Sequence, residues 1–181
     1  MPNFVLTGTP GAGKTAILRQ LECNGYRVVE EAATDVIALG QALGQPEPWT
    51  RPGFLDKIVG LQRRRQAAAA AADGDLVFFD RSPVCTLALS RYLGCPESAE
   101  LTAEVDRVLR AGIYARNVFF VRGLGFITPT AARRISLAES LAFEEEHRRA
   151  YTELGFELVD VPPGPLAVRV GVVCRGAGLA A

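Results

Sequence analysis

Four places in the chain carry residue types whose spacing could do chemistry, and the first is the most specific. Residues 8 to 15, GTPGAGKT, read G-x-x-x-x-G-K-T, the pattern of a loop that wraps a polyphosphate. Such a loop turns several backbone N–H groups inward, and Gly8, Gly11 and Gly13 supply the bends that a Cβ would hinder. A helix beginning near Gly13 adds its unpaired N-terminal N–H groups and the positive end of its dipole. Lys14 is then placed to reach β and γ oxygens, and the Thr15 hydroxyl to ligate Mg²⁺. The nucleotide-binding set expected here is Gly8, Thr9, Pro10, Gly11, Ala12, Gly13, Lys14, Thr15 and Ala16.

The second place is LVFFDRS, where Asp80, Arg81 and Ser82 follow a buried-type apolar run. An acid at the end of such a strand lies beside the phosphate loop and can hold Mg²⁺. A hydrolytic motor usually sets a second acid after it; Arg81 stands there instead, suited to an anion or a substrate oxygen. That favours transfer to a bound acceptor over hydrolysis. The third place is Glu30-Glu31, at the end of another strand-like run. A carboxylate across the cleft from the loop could take the proton of an attacking hydroxyl; Glu31 is the candidate base, with Glu30 and Asp80 as alternatives, and Asp35 one helical turn on is a substrate contact. The fourth is Arg133-Arg134 in an irregular stretch before a long helix. Phosphoryl transfer spreads negative charge over equatorial oxygens, so an arginine closing over them would stabilise it. Arg133 is assigned that catalytic role and Arg134 a nucleotide contact; Arg122 is a weaker candidate.

Two aromatic positions complete the candidates. Trp49, the one tryptophan, sits among prolines in GQPEPWTRPGF and could stack on a planar substrate. His147, the one histidine, lies within EEEHRR and reads as exposed helix, not as a metal ligand. Arg63-Arg64-Arg65 reads as the solvated face of its helix.

These residues need elements to position them. Apolar runs recur at 4–7, 26–30, 75–80, 117–121 and 156–161, separated by helical patterns. That alternation predicts an α/β fold with about five parallel strands covered on both faces, ligands gathering at the strands' carboxyl ends. A proline-rich insert and a helix from about Leu55 to Ala72 lie between strands two and three, and an irregular segment at 122–136 follows strand four as a lid. With 181 residues, one domain over 1–181 is expected.

Twenty Lys and Arg balance twenty Asp and Glu, so no basic field of the kind that dominates nucleic-acid binding is expected. The cysteines at 23, 85, 95 and 174 are too scattered for a metal knuckle or a C-x-x-C pair, which suggests reduced thiols. No signal-peptide pattern opens the chain and no run approaches the length of a membrane span, so a cytoplasmic protein is expected.

With GTPGAGKT, VVEEAA, FFDRS and the downstream ARRIS…YTELGFELVDVP in view, the chain resembles a family of small phosphate-loop proteins. They are commonly labelled AAA-type ATPases, and include the nicotinamide riboside kinase domain of the bacterial NAD-biosynthesis regulator. The resemblance covers about residues 3 to 165. The strand-end glutamate and D-R-S also look like those of deoxynucleoside kinases and small antibiotic phosphotransferases. The resemblance implies a three-layer P-loop fold with strand order 2-3-1-4-5, Lys14 and Thr15 on phosphate and Mg²⁺, and Glu31 activating the acceptor. It also implies Asp80 with Arg81 serving metal and substrate, and Arg133 in a closing lid.

Departures from these families are expected: with no nucleotidyltransferase pattern read ahead of the loop, the bifunctional NAD enzyme is not expected, the insert with Trp49 matches no particular acceptor, and neither the acid pair nor the room for the helical lid of a ring-forming machine is read. The expectation is an ATP- and Mg²⁺-dependent kinase acting on a hydroxyl of a small molecule, nucleoside-like or an antibiotic, with a homodimer compatible with it. The alternatives are a partner-regulated ATPase switch and a nucleotide-binding module without turnover. No N-K-x-D motif for guanine is found.

Overall fold

The computed structural model describes residues 2–72, 76–123 and 137–179. The five apolar runs become five parallel strands: β1 (Asn3–Gly8), β2 (Arg27–Val29), β3 (Val77–Asp80), β4 (Asn117–Val121) and β5 (Glu157–Val161). Their order in the sheet is β2-β3-β1-β4-β5. Each strand lies within the run read from the sequence, apart from one extra residue at each end of β1. Seven α-helices connect and flank them among the described residues: α1 (Lys14–Cys23), α2 (Ala32–Ala42), α3 (Phe54–Ala71), α4 (Pro83–Tyr92), α5 (Ala99–Arg110), α6 (Leu137–Glu153) and α7 (Leu166–Gly176).

Successive side chains of a strand point to opposite faces, and the core divides accordingly. Phe4, Leu6, Phe78, Phe119 and Val121 pack with Ile17, Leu18 and Leu21 of α1 and Val170 and Val173 of α7. Val5, Val77, Phe79 and Val118 face the other way, onto Val84 and Ala88 of α4, Val108 of α5 and Ala150 and Tyr151 of α6. Apolar surface on both sides of the central strands forces helices onto both faces, giving three layers.

The registers bring the chemistry to one end. Leu6 pairs with Asp80 and Gly8 with Val121, so the phosphate loop, the end of β3 and the end of β4 share the carboxyl edge. In the insert, Pro48–Thr50 forms one turn of 3-10 helix, with Trp49 partly buried against Ala32, Phe54 and Ile58. Arg65 departs from the solvated face expected of it: it donates to the Glu30 carbonyl at 2.9 Å and pairs with Asp35, tying α3 to α2.

Gly8 is where the strand turns into the loop. Its φ is +122°, and a Cβ there would lie 2.2 Å from the Val121 carbonyl oxygen. Strand β4 therefore passes too close for any side chain. Gly8→Ala is expected to lower stability by about 3 kcal/mol, read as a shift of the urea midpoint; an unmoved midpoint would contradict this account of the β1–β4 approach.

Candidate active site

A cleft of about 390 Å³ opens at the carboxyl edge of the sheet. It is lined by Pro10, Gly11, Gly13, Lys14 and Thr15 from the loop, Glu31 from the end of β2, and Asp80 and Arg81 from the end of β3. Residues separated by up to 71 positions in sequence thus meet because three parallel strands end side by side. Gly8, Thr9 and Ala12 of the same loop are buried and do not line the cleft, and Ala16 is exposed on α1. Asp35 and Trp49 do not line this cleft: Asp35 is exposed and paired with Arg65, and Trp49 packs behind α2. Arg133 and Arg134 lie outside the described residues. Arg122 pairs with Glu144 of α6 at 3.1 Å.

The loop is built around its lysine. Lys14 Nζ is buried and donates to the carbonyls of Gly8 at 3.1 Å and Thr9 at 2.8 Å. Burial, then the Arg81 cation, lower its pKa to about 8, with Asp80 and Glu31 opposing. Behind the loop, Arg169 of α7 is also buried and donates through Nη2 to the Ala12 carbonyl at 2.5 Å. Sequence reasoning did not single that residue out, although an arginine among the apolar residues of α7, beside Val170 and Val173, is a signal in the sequence.

Arg81 is held in a conformation that costs energy. Its φ is +72°, the one left-handed non-glycine among the described residues, and such a backbone typically costs about 1–2 kcal/mol. The turn lets its N–H continue the sheet to the Leu6 carbonyl at 3.0 Å, while Ser82 caps α4 through the Val84 N–H. The side chain enters the cleft, where Nε donates to Glu31 Oε1 at 2.5 Å. Thr34 donates to the other Glu31 oxygen at 2.7 Å. Burial alone would raise the Glu31 carboxyl, but Arg81, Lys14 and the Thr34 hydroxyl hold it down to about 2. Arg81 is raised in turn, its burial outweighed by the Glu31 charge.

His147 corrects the expectation of an exposed helical residue. It has no exposed surface, and its Nε2 lies 2.9 Å from Arg81 Nη1. The acidic and basic neighbours in EEEHRR hide it, yet Phe143, His147, Ala150 and Tyr151 recur at helical spacing and are all buried. The same stripe sends Tyr151 to Ser82 Oγ at 2.6 Å. Above the charged floor, the cleft wall consists of Ile37, Ile58, Leu89 and Phe143, with Gln62 and Thr86 as its polar members. Thr86 donates to Gln62 Oε1 at 3.1 Å, which leaves the Gln62 amide N–H groups for other partners. None of these wall residues was singled out from sequence, since each is an ordinary helical residue until the fold turns it inward.

Thr15 and Asp80 offer hard oxygens to one cleft, the donor type Mg²⁺ takes, and such an ion uses one or two protein oxygens with phosphates and water supplying the rest. The residues fit that ion. Among the described residues no cluster of three His, Cys, Asp or Glu side chains could hold a metal alone, and no helix is long and apolar enough to cross a membrane.

Comparison with known proteins adds the following. A family model described as an AAA domain matches residues 3–169. A proposed deoxynucleoside kinase of Frog virus 3 (isolate Goorha) is 39% identical over 88 residues, 46% of this chain and 43% of that protein. The chain thus matches less than half the length of that relative. Among solved structures, NadR in complex with NR superposes with a TM-score of 0.71 at 16% identity, over 99% of this chain and 52% of that one. Deoxyadenosine kinase from M. mycoides, with products bound, gives 0.64 at 12% identity over 97% and 98%. These likenesses establish the phosphate-loop kinase fold.

The Glu31–Arg81 pair predicts an acid limb of stability. The folded Glu31 carboxyl lies below its ordinary 4.5, so its ionised form stabilises the fold above pH 4.5, and that contribution is lost as pH falls to about 2. Glu31→Gln should cost about 3 kcal/mol at neutral pH by leaving Arg81 unbalanced. Between pH 4.5 and 2 the variant should also lose less stability than the wild type. Parallel urea midpoints for the two chains across that range would disprove the pairing.

Proposed function

The chain belongs to the AAA-domain family whose model spans residues 3–169, and from that premise we propose that it is an ATP- and Mg²⁺-dependent kinase that phosphorylates a hydroxyl of a nucleoside-like small molecule. The observation that carries this reading is the union, in one cleft, of a phosphate loop with a strand-end carboxylate and an arginine, under an apolar slot with one amide. Glu31 could serve water as well as an organic hydroxyl; what favours transfer over hydrolysis is Arg81, which follows Asp80 where a hydrolytic motor usually has a second acid. The deoxynucleoside kinase likeness and the NadR complex with NR support a nucleoside-type acceptor.

In this mechanism the backbone N–H groups of Gly11 and Gly13 cradle the polyphosphate, with those at the start of α1, and Lys14 exchanges the Gly8 and Thr9 carbonyls for phosphate oxygens. Mg²⁺, held by Thr15 and Asp80, would neutralise charge on the phosphates. Glu31 accepts the hydrogen bond of the acceptor hydroxyl and aims its oxygen at the γ phosphorus. A P–O bond to the acceptor forms as the bond to the β-bridging oxygen breaks. A carboxylate with so low a pKa is a weak base, which suits a loose transition state in which the proton leaves late. Asp80 is the alternative proton acceptor. Arg81 Nη2, with no hydrogen-bond partner among the described residues, faces the acceptor or its transferring phosphate. Arg133 and Arg134 are proposed to close over the phosphates. Ile37, Leu89 and Phe143 would sandwich a planar base, and the Gln62 amide would pair with its edge.

Incubation with γ-labelled ATP and a panel of nucleosides and antibiotics tests this. Label should appear in a nucleoside monophosphate, and Lys14→Ala should abolish it while leaving the circular dichroism spectrum unchanged. Gln62→Ala should raise the nucleoside KM about tenfold with the ATP KM unaltered. Label found in inorganic phosphate alone would favour the ATPase switch, and a labelled antibiotic would move the acceptor class.

A further inference from the structure

We infer that His147 is a positioning residue: as a neutral hydrogen-bond acceptor fixed on α6, it holds the Arg81 guanidinium in the plane that leaves its free edge for the acceptor. An arginine has N–H groups to donate and nothing to accept with, so the Nε2 of His147, 2.9 Å from Arg81 Nη1, must be the acceptor. The imidazole proton then sits on Nδ1, and the Phe143 carbonyl lies 2.9 Å from that nitrogen. Both ring nitrogens are thus matched by one tautomer only. Burial, and then the Arg81 charge, keep the imidazole neutral.

The geometry says what this contact is for. Glu31 binds Arg81 through Nε alone, and a guanidinium held at one nitrogen can turn about that bond. An arginine beside a carboxylate gains most from a forked pair, which here would draw both Glu31 oxygens from Thr34 and from any hydroxyl. A second anchor on Nη1 removes that freedom. His147 is itself packed on all sides: Phe143 meets its ring edge-on at 4.3 Å between centroids, and Tyr151, one turn further along α6, is hydrogen-bonded to Ser82. Helix α6 therefore grips the Arg81-Ser82 corner at two successive turns. This rests on the kinase reading above, in which Arg81 and Glu31 meet the acceptor.

His147 is the single histidine of the chain, so one ¹H–¹⁵N long-range spectrum of this chain, uniformly labelled, reports it without assignment. The expected signal is the Nδ1–H tautomer at neutral pH, with the Nε2 resonance moved in Arg81→Lys. An Nε2–H tautomer, or a resonance indifferent to Arg81→Lys, overturns the inference. In labelled-phosphate assays, His147→Leu should lower kcat about tenfold or more with the ATP KM within about twofold. His147→Gln, which keeps an acceptor near the Nε2 position, should recover most of it. Equal losses in both variants, tracking their urea midpoints, would mean His147 only packs. A wild-type chain that transfers no phosphate would overturn the kinase reading instead, and the spectrum would then decide the His147–Arg81 contact by itself.

Discussion

Everything at the carboxyl edge depends on keeping four charges together in a partly closed cleft. Lys14 and Arg81 are cations brought within reach of each other, and either alone would pay a heavy desolvation cost. Glu31 and Asp80 meet that cost, one from each neighbouring strand end. The consequence is visible in the directions of the shifts: Lys14 is lowered by burial and by Arg81, while Glu31 is pulled down against its own burial by the same two cations. The order β2-β3-β1 is what permits this, since it sets Glu31, Asp80 and the loop on three adjacent strand ends. A different order would separate the charges and leave each one unbalanced.

The loop adds a second constraint, which concerns how its lysine is held. Lys14 is satisfied by the carbonyls of Gly8 and Thr9, so any anion at the loop would have to compete with existing hydrogen bonds and would not simply fill a void. The backbone must then hold its shape when those bonds are given up. Gly8 against Val121 fixes one side, and Arg169 on the Ala12 carbonyl fixes the other. Helix α7, remote in sequence, thereby becomes part of the loop's support.

How much of this was legible in the sequence follows from the range of each interaction. The strands were legible because burial on two faces writes continuous apolar runs, and the loop because its conformation demands glycines at fixed spacing. Glu31, Asp80 and Arg81 were legible by position, since a parallel sheet exposes its chemistry where strands end. The partners of Arg81 were not. Whether it would pair with its neighbour Asp80 or reach Glu31 depended on a left-handed turn at Arg81 that no residue type announces. Trp49 drew attention as the one tryptophan, set among prolines in the insert, and its packing on Ala32 and Phe54 reflects the commoner fate of a large aromatic ring.

His147 shows the opposite error, and why it arises. A histidine between Glu146 and Arg148 has polar neighbours in sequence, but on a helix those neighbours point 100° away on either side. The relevant neighbours are Phe143 and Tyr151, one turn back and one turn on, and both are buried. A titratable ring on an apolar stripe must find hydrogen-bond partners inside the protein or destabilise it. Among the described residues the partners are a helix carbonyl and an arginine that the cleft already needed for its charge balance. The same burial that conceals the imidazole from solvent therefore ties α6 to the candidate chemistry, through a contact that periodicity could locate but only the fold could complete.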